Sequence, residues 1–114
     1  KLIVLWSMEC PPCFKELALI NENLTNIKQD NIIIINTDDD SDYEADRNSV
    51  VEEFNLASLS LYHFPEREAQ RMRSLIDKTW HGELPRSYFI DEKGNWHGKS
   101  GVFDQSLLIK WIGK

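Results

Sequence analysis

Leu2-Ile3-Val4-Leu5-Trp6 is an unbroken apolar run, short and rich in branched side chains, which predicts a strand buried on both faces. Ser7-Met8-Glu9 reads as a turn, and Cys10 then falls at a helix N-cap with Pro11 and Pro12 in the first turn. Missing N–H groups cost little there. Phe14, Leu17, Ile20, Leu24 and Ile27 recur at steps of three and four, so the helix is predicted to run to about Gln29. Residues 31–37 predict a second strand, parallel to the first, completing a βαβ unit.

Beyond an acidic loop, Asp38-Asp39-Asp40-Ser41-Asp42, residues 43–54 read as helix and 57–64 as a further strand. Pro65 opens a predicted helix over 66–78, and Trp80-His81-Gly82-Glu83-Leu84-Pro85 is a loop. Arg86–Ile90 is a predicted strand that turns at Asp91-Glu92-Lys93-Gly94 and pairs back with 95–102. Asp104 caps a last helix carrying Leu107, Leu108, Trp111 and Ile112. The reading is one α/β domain over residues 1–114. It has a central mixed sheet flanked by helices, and an extra strand and helix between the βαβ and ββα units. No internal repeat or linker interrupts it.

The 114 residues suffice for one core without structural metal. A formal charge of −6 argues against nucleic acid or an anionic membrane surface as partner. No apolar run is long enough to cross a bilayer. The chain opens on Lys1, straight into the first strand, and is read as a trimmed piece whose targeting segment lies outside it.

The two cysteines stand as Cys10-Pro11-Pro12-Cys13. A structural disulfide there would close a tiny loop and constrain the unfolded chain little. A structural zinc site needs about four ligands, and no second close pair exists among His63, His81 and His97. Chance placement and redox chemistry remain, and the context, strand end to helix start, favours redox. Unpaired N–H groups at the helix start stabilise a thiolate. Cys10, nearer the loop, is then the exposed nucleophile, and Cys13, one turn in, the buried resolving thiol. Pro12 supplies no N–H to Cys10, and Glu9 adds negative charge beside it. Both weaken thiolate stabilisation, which makes the reduced pair a better electron donor. Glu16 lies three residues past Cys13 on the same helical face. It is either a desolvated carboxylate exchanging protons with Cys13 or a solvated helix glutamate beside Lys15.

The segment Leu5-Trp6-Ser7-Met8-Glu9-Cys10-Pro11-Pro12-Cys13-Phe14-Lys15-Glu16 resembles the active-site segment of the TlpA/ResA family. These are extracytoplasmic bacterial thiol-disulfide oxidoreductases, many of them reductants in cytochrome c maturation. Leu84-Pro85-Arg86-Ser87-Tyr88-Phe89-Ile90-Asp91 resembles the family's second landmark, where a cis-proline faces the cysteines. The resemblance implies a thioredoxin fold, attack by Cys10, resolution by Cys13 and a functional carboxylate at Glu16. It also implies a periplasmic or membrane-anchored setting. The partners are then a disulfide-containing substrate protein and an upstream dithiol donor, with no organic cofactor and a monomeric chain. A cis bond before Pro85 would offer the Leu84 N–H and C=O to a substrate strand, whereas a trans proline would merely open an edge strand. Trp6 and Trp80 border the site in this reading, with Trp6 a substrate contact. This chain departs from the family in having Glu9 where tryptophan is usual, Leu84 and Arg86 around the proline, and Ala18 where a proline often follows the glutamate.

Carboxylates at 38, 40 and 42 resemble the opening of a calcium loop, but Tyr43 and Ser49 occupy its glycine and glutamate positions, so a solvated acidic loop is expected. His81 could join Cys10 and Cys13 around a soft metal such as Cu(I), while His63 and His97 read as strand-edge residues. A thiol oxidase or isomerase on the same fold is the remaining alternative. Asn23-Leu24-Thr25 matches a glycosylation acceptor, but on a predicted helix.

Overall fold

A computed structural model describes residues 1–114. Five strands, β1 (Leu2–Trp6), β2 (Ile32–Asn36), β3 (Ser60–His63), β4 (Arg86–Ile90) and β5 (Trp96–Ser100), form one sheet in the order β3-β2-β1-β4-β5. β1 pairs parallel with β2 and antiparallel with β4; β2 pairs parallel with β3, and β4 antiparallel with β5. The helices are α1 (Pro11–Glu22), α2 (Glu44–Glu53), α3 (Ala69–Ile76) and α4 (Gln105–Ile112).

β1 is central and buried along its whole length, which explains its lack of polar alternation. Side-chain alternation still divides it. Leu2, Val4 and Trp6 join the larger core with Cys10, Cys13, Leu17 and Ile20 of the α1 side, Val50 of α2, and Leu108 and Ile112 of α4. Ile3 and Leu5 point the other way, into a smaller core with Phe64, Trp80 and Tyr88 that Met72 and Ile76 of α3 cover. The active helix therefore lies between the sheet's central strand and solvent, with its start at the carboxyl end of β1.

The first helix stops at Glu22, earlier than the periodicity to Gln29 predicts. Asn23 ends it: its side-chain amide donates to the Leu19 carbonyl at 2.8 Å, and its backbone N–H turns back to Ile20. Two 3-10 turns, Leu24–Asn26 and Gln29–Asn31, carry the chain to β2. Ile27 between them still reaches the core, fully buried. The third strand and helix are also shorter than predicted. Residues 65–68 form a turn in which Arg67 has φ 61° and donates its N–H to the Asp39 carbonyl, so α3 begins only at Ala69. β3 completes the sheet edge beside β2. At the other edge, β5 ends where Gly101 adopts φ 88° and donates its N–H to the Pro85 carbonyl, tying the end of the β4–β5 hairpin to the loop before β4.

Candidate active site

Cys10 occupies the N-cap of α1, Pro11 and Pro12 its first two helical positions, and Cys13 the first turn. The cysteines form a disulfide with Cα atoms 5.3 Å apart. Cys10 keeps 7% of its surface and Cys13 none, so Cys10 is the member of the pair that meets solvent. No side-chain hydrogen bond caps the helix at Cys10. The Cys13 N–H donates to the Cys10 carbonyl at 3.0 Å, and Pro12 has no N–H to offer. Glu9 is exposed beside Cys10 and accepts a hydrogen bond from the Tyr43 hydroxyl at 2.9 Å.

Glu16 is the one buried carboxylate of the chain, 1% exposed, and not a solvated helix glutamate. Ser87, itself fully buried in β4, donates its hydroxyl to Glu16 Oε1 at 3.2 Å; Oε2 has no partner. Burial raises the Glu16 pKa to about 7, with the Ser87 hydroxyl, the Phe103 backbone and the Lys99 charge each offsetting part of that rise. A carboxyl so placed changes protonation near neutral pH, within one turn of Cys13 on the same helix face.

The acidic loop is less solvated than the charge run predicts, and it does structural work the sequence reading missed. The half-buried Asp38 carboxylate accepts from the Ser7 hydroxyl at 2.8 Å, the Met8 N–H at 2.9 Å and the Asn36 amide at 2.9 Å. It therefore fixes the turn that delivers Cys10 from β1. Arg47 of α2 donates to Asn36 at 3.4 Å, extending this network. Asp38→Ala is expected to cost about 1–3 kcal/mol, since it leaves the Met8 N–H and a buried Asn36 without their partner. Asp40→Ala, which removes only a bond to the Asp42 N–H, should cost less in the same denaturant titrations.

The peptide bond between Leu84 and Pro85 is cis. Pro85 is buried, Leu84 is half-buried against both cores, and the Leu84 N–H and C=O have no intrachain hydrogen-bond partner. On the opposite face of β4, Arg86 donates to Asp77 at 3.3 Å and Tyr88 to the same carboxylate at 2.9 Å, which anchors the strand that follows the proline. Hydrogen bonds from Thr79 first, then Tyr88, hold the Asp77 pKa at about 2, and burial pushes Tyr88 up to about 12.

The remaining sequence candidates fall elsewhere. Trp6 is 2% exposed, packs edge-to-face on Phe14, and lies beneath the site in the same core as both cysteines. That leaves it almost no surface for a substrate, and corrects its expected role as a substrate contact. Trp80 is buried on the far side of the sheet, donating to the Glu83 carbonyl. His81 is exposed and is not gathered with Cys10 and Cys13, and no three His, Cys, Asp or Glu residues are placed to hold a metal. His97 pairs with Asp91 at 2.9 Å at the exposed end of the hairpin.

No protein-family model matches the chain, and no curated protein matches it either. Solved structures do. DsbF from MTB, in mixed oxidized and reduced forms, aligns with TM-score 0.72 at 14% identity over 96% of this chain and 75% of that one. A secreted Mycobacterium tuberculosis disulfide oxidoreductase homologous to E. coli DsbE aligns with TM-score 0.61 at 17% identity over 94% and 75%. A thiol-disulfide isomerase from Corynebacterium glutamicum gives TM-score 0.67 at 18% identity over 99% and 80%. With strand order, helix placement and the Cys10–Cys13 position in hand, these likenesses establish that the chain has a thioredoxin fold.

Proposed function

We propose that the protein is a thiol-disulfide oxidoreductase working outside the cytoplasm as a reductase of protein disulfides. The observation that carries this is the Cys10–Cys13 disulfide at the start of α1 with the chain's one buried carboxylate a turn behind it. The thiol-disulfide chemistry named for the structural neighbours supports the same reaction, and the secreted mycobacterial neighbour supports the setting. The resemblance of residues 5–16 to the TlpA/ResA segment makes cytochrome c maturation the favoured context.

In the forward reaction the Cys10 thiolate attacks one sulfur of a substrate disulfide. A Cys10–substrate disulfide forms, and the other substrate sulfur leaves as a thiolate that takes a proton from solvent. Glu16, as carboxylate, then accepts the proton of the Cys13 thiol, directly or through water. The Cys13 thiolate attacks Cys10 Sγ, the Cys10–substrate bond breaks, and the second substrate thiol is released. Two electrons pass from the cysteine pair to the substrate, and an upstream dithiol protein must return them. No bound organic cofactor enters these steps. The free Leu84 N–H and C=O are suited to pair with an extended substrate segment across Cys10.

Direction follows from how poorly the thiolate would be held. Pro12 lacks an N–H, the Cys13 N–H already serves the Cys10 carbonyl, and Glu9 places negative charge beside the nucleophile. A reduced state without special stabilisation donates electrons readily. The pre-reduced protein should therefore reduce a disulfide-bonded peptide stoichiometrically, and Cys10→Ser should abolish the transfer. Undiminished transfer by Cys10→Ser would overturn the assignment of the nucleophile. An isomerase role, suggested by the name of the corynebacterial neighbour, would instead show as reshuffling of scrambled disulfides without net reduction.

A further inference from the structure

Glu16 is held from the sheet side by a β4 hydroxyl, and the neighbouring strand carries a charge on the same face. Ser87, which holds Glu16 Oε1, is paired directly with Lys99 of β5 in the antiparallel register. Directly opposed residues of an antiparallel pair project from the same face. Lys99 is also the one residue of β5 that is not exposed, with part of its stem covered. Its half-buried stem lines an open surface depression together with Val102, Asp104, Ser106, Leu107 and Lys110.

We propose that Lys99 is a positioning residue for the redox reaction: set opposite Ser87 on the sheet face that carries Glu16, its charge favours the carboxylate form of Glu16 that accepts the Cys13 proton. This rests on the reading of Glu16 as the proton acceptor for Cys13. Around Glu16 are Cys13, three residues before it on α1, the neutral Ser87 of β4, and Lys99 of β5 opposite Ser87; Asp104 and Lys110 line the same depression as Lys99 with opposite charges. A positive charge favours the carboxylate over the acid. Without it, Glu16 keeps its proton to higher pH, and Cys13 is activated only at higher pH.

The test is a pair of titrations on the full chain. One follows the Glu16 side-chain carbonyl by NMR in the oxidised protein; the other follows the single-turnover rate of mixed-disulfide resolution against pH. Lys99→Met is expected to move both midpoints alkaline by about half a pH unit, and Lys99→Arg to restore them. In a Glu16→Gln background, Lys99→Met should no longer move the resolution profile. Unshifted midpoints in Lys99→Met, or a shift that persists in the Glu16→Gln background, would overturn the role of Lys99. If Glu16→Gln alone leaves the resolution profile unchanged, the failure lies in the reading of Glu16 itself. Because Lys99 is only half-buried and touches no core cluster, its variants are expected to fold, which circular dichroism would verify.

Discussion

Cys13→Ser should turn the protein into a covalent trap. Cys10 remains able to attack a substrate disulfide, but no second thiol is left to attack Cys10 Sγ, so the mixed disulfide accumulates. Turnover should fall by at least about a thousandfold, because release then depends on exogenous thiol reaching a sulfur at a site that is only 7% exposed. Mass spectrometry of the reaction mixture would show one substrate chain attached at Cys10, cleaved by dithiothreitol. A Cys13→Ser protein that turns over at the wild-type rate would remove Cys13 from the reaction. The substitution replaces a fully buried thiol by a hydroxyl next to apolar core residues, so some loss of stability accompanies it.

Glu16→Gln carries the second large effect, and it has two readouts. Loss of the proton acceptor should slow resolution by about a hundredfold near neutral pH, within the usual range for a positioned base, and flatten the pH profile. The stability consequence has the opposite sign. In the native protein the carboxyl holds its proton to about pH 7, against 4.5 ordinarily. Between those values the native state binds more protons than the unfolded chain, so wild-type stability is full below about 4.5 and declines as pH rises toward 7. The decline attributable to this residue is about 3 kcal/mol, the equivalent of the shift from 4.5 to about 7. Glu16→Gln should lack that slope, so above pH 7 the variant is stabilised relative to wild type, compared with their difference at low pH, while losing activity. Urea titrations of the oxidised proteins across this range would show it. Parallel pH dependence in both proteins would mean that Glu16 is not desolvated.

The elements nearest the redox centre were the most legible in the sequence, because local rules specify them. A short branched apolar run, a cysteine at the N-cap and prolines at the first two helical positions fix β1 and the start of α1 without help from the rest of the chain. The far end of α1 was not legible. Leu24 and Ile27 continue the helical spacing, yet Asn23 breaks the helix by folding its amide back on Leu19, and Ile27 reaches the core from an extended conformation. The periodicity reported burial correctly and conformation wrongly.

The supporting groups of the site were hidden for a different reason. Ser87 and Glu16 are separated by 71 positions in sequence, and nothing local to either signals the contact. A hydroxyl in the otherwise largely apolar Ser87-Tyr88-Phe89-Ile90 was the available hint, since a serine facing a core requires a partner. Asp38 was masked by its neighbours: within a run of aspartates its position directly after β2 gave no sign that it would reach across to Ser7 and Met8. Trp6 misled in the other direction. A tryptophan four residues before the nucleophile suggests a surface contact, but strand alternation sends it inward with Leu2 and Val4.

The central claim is that Cys10 and Cys13 form a reversible two-electron pair poised to donate. Its equilibrium reduction potential in a dithiol redox buffer tests this most directly, with Trp6 fluorescence as the readout because Trp6 shares a core with both cysteines. The weak support for the Cys10 thiolate predicts a value at or below about −250 mV, in the range of thioredoxin. A value near about −120 mV would make the protein an oxidant and contradict the account of Pro12 and Glu9, and the absence of any reversible transition would contradict the redox assignment itself.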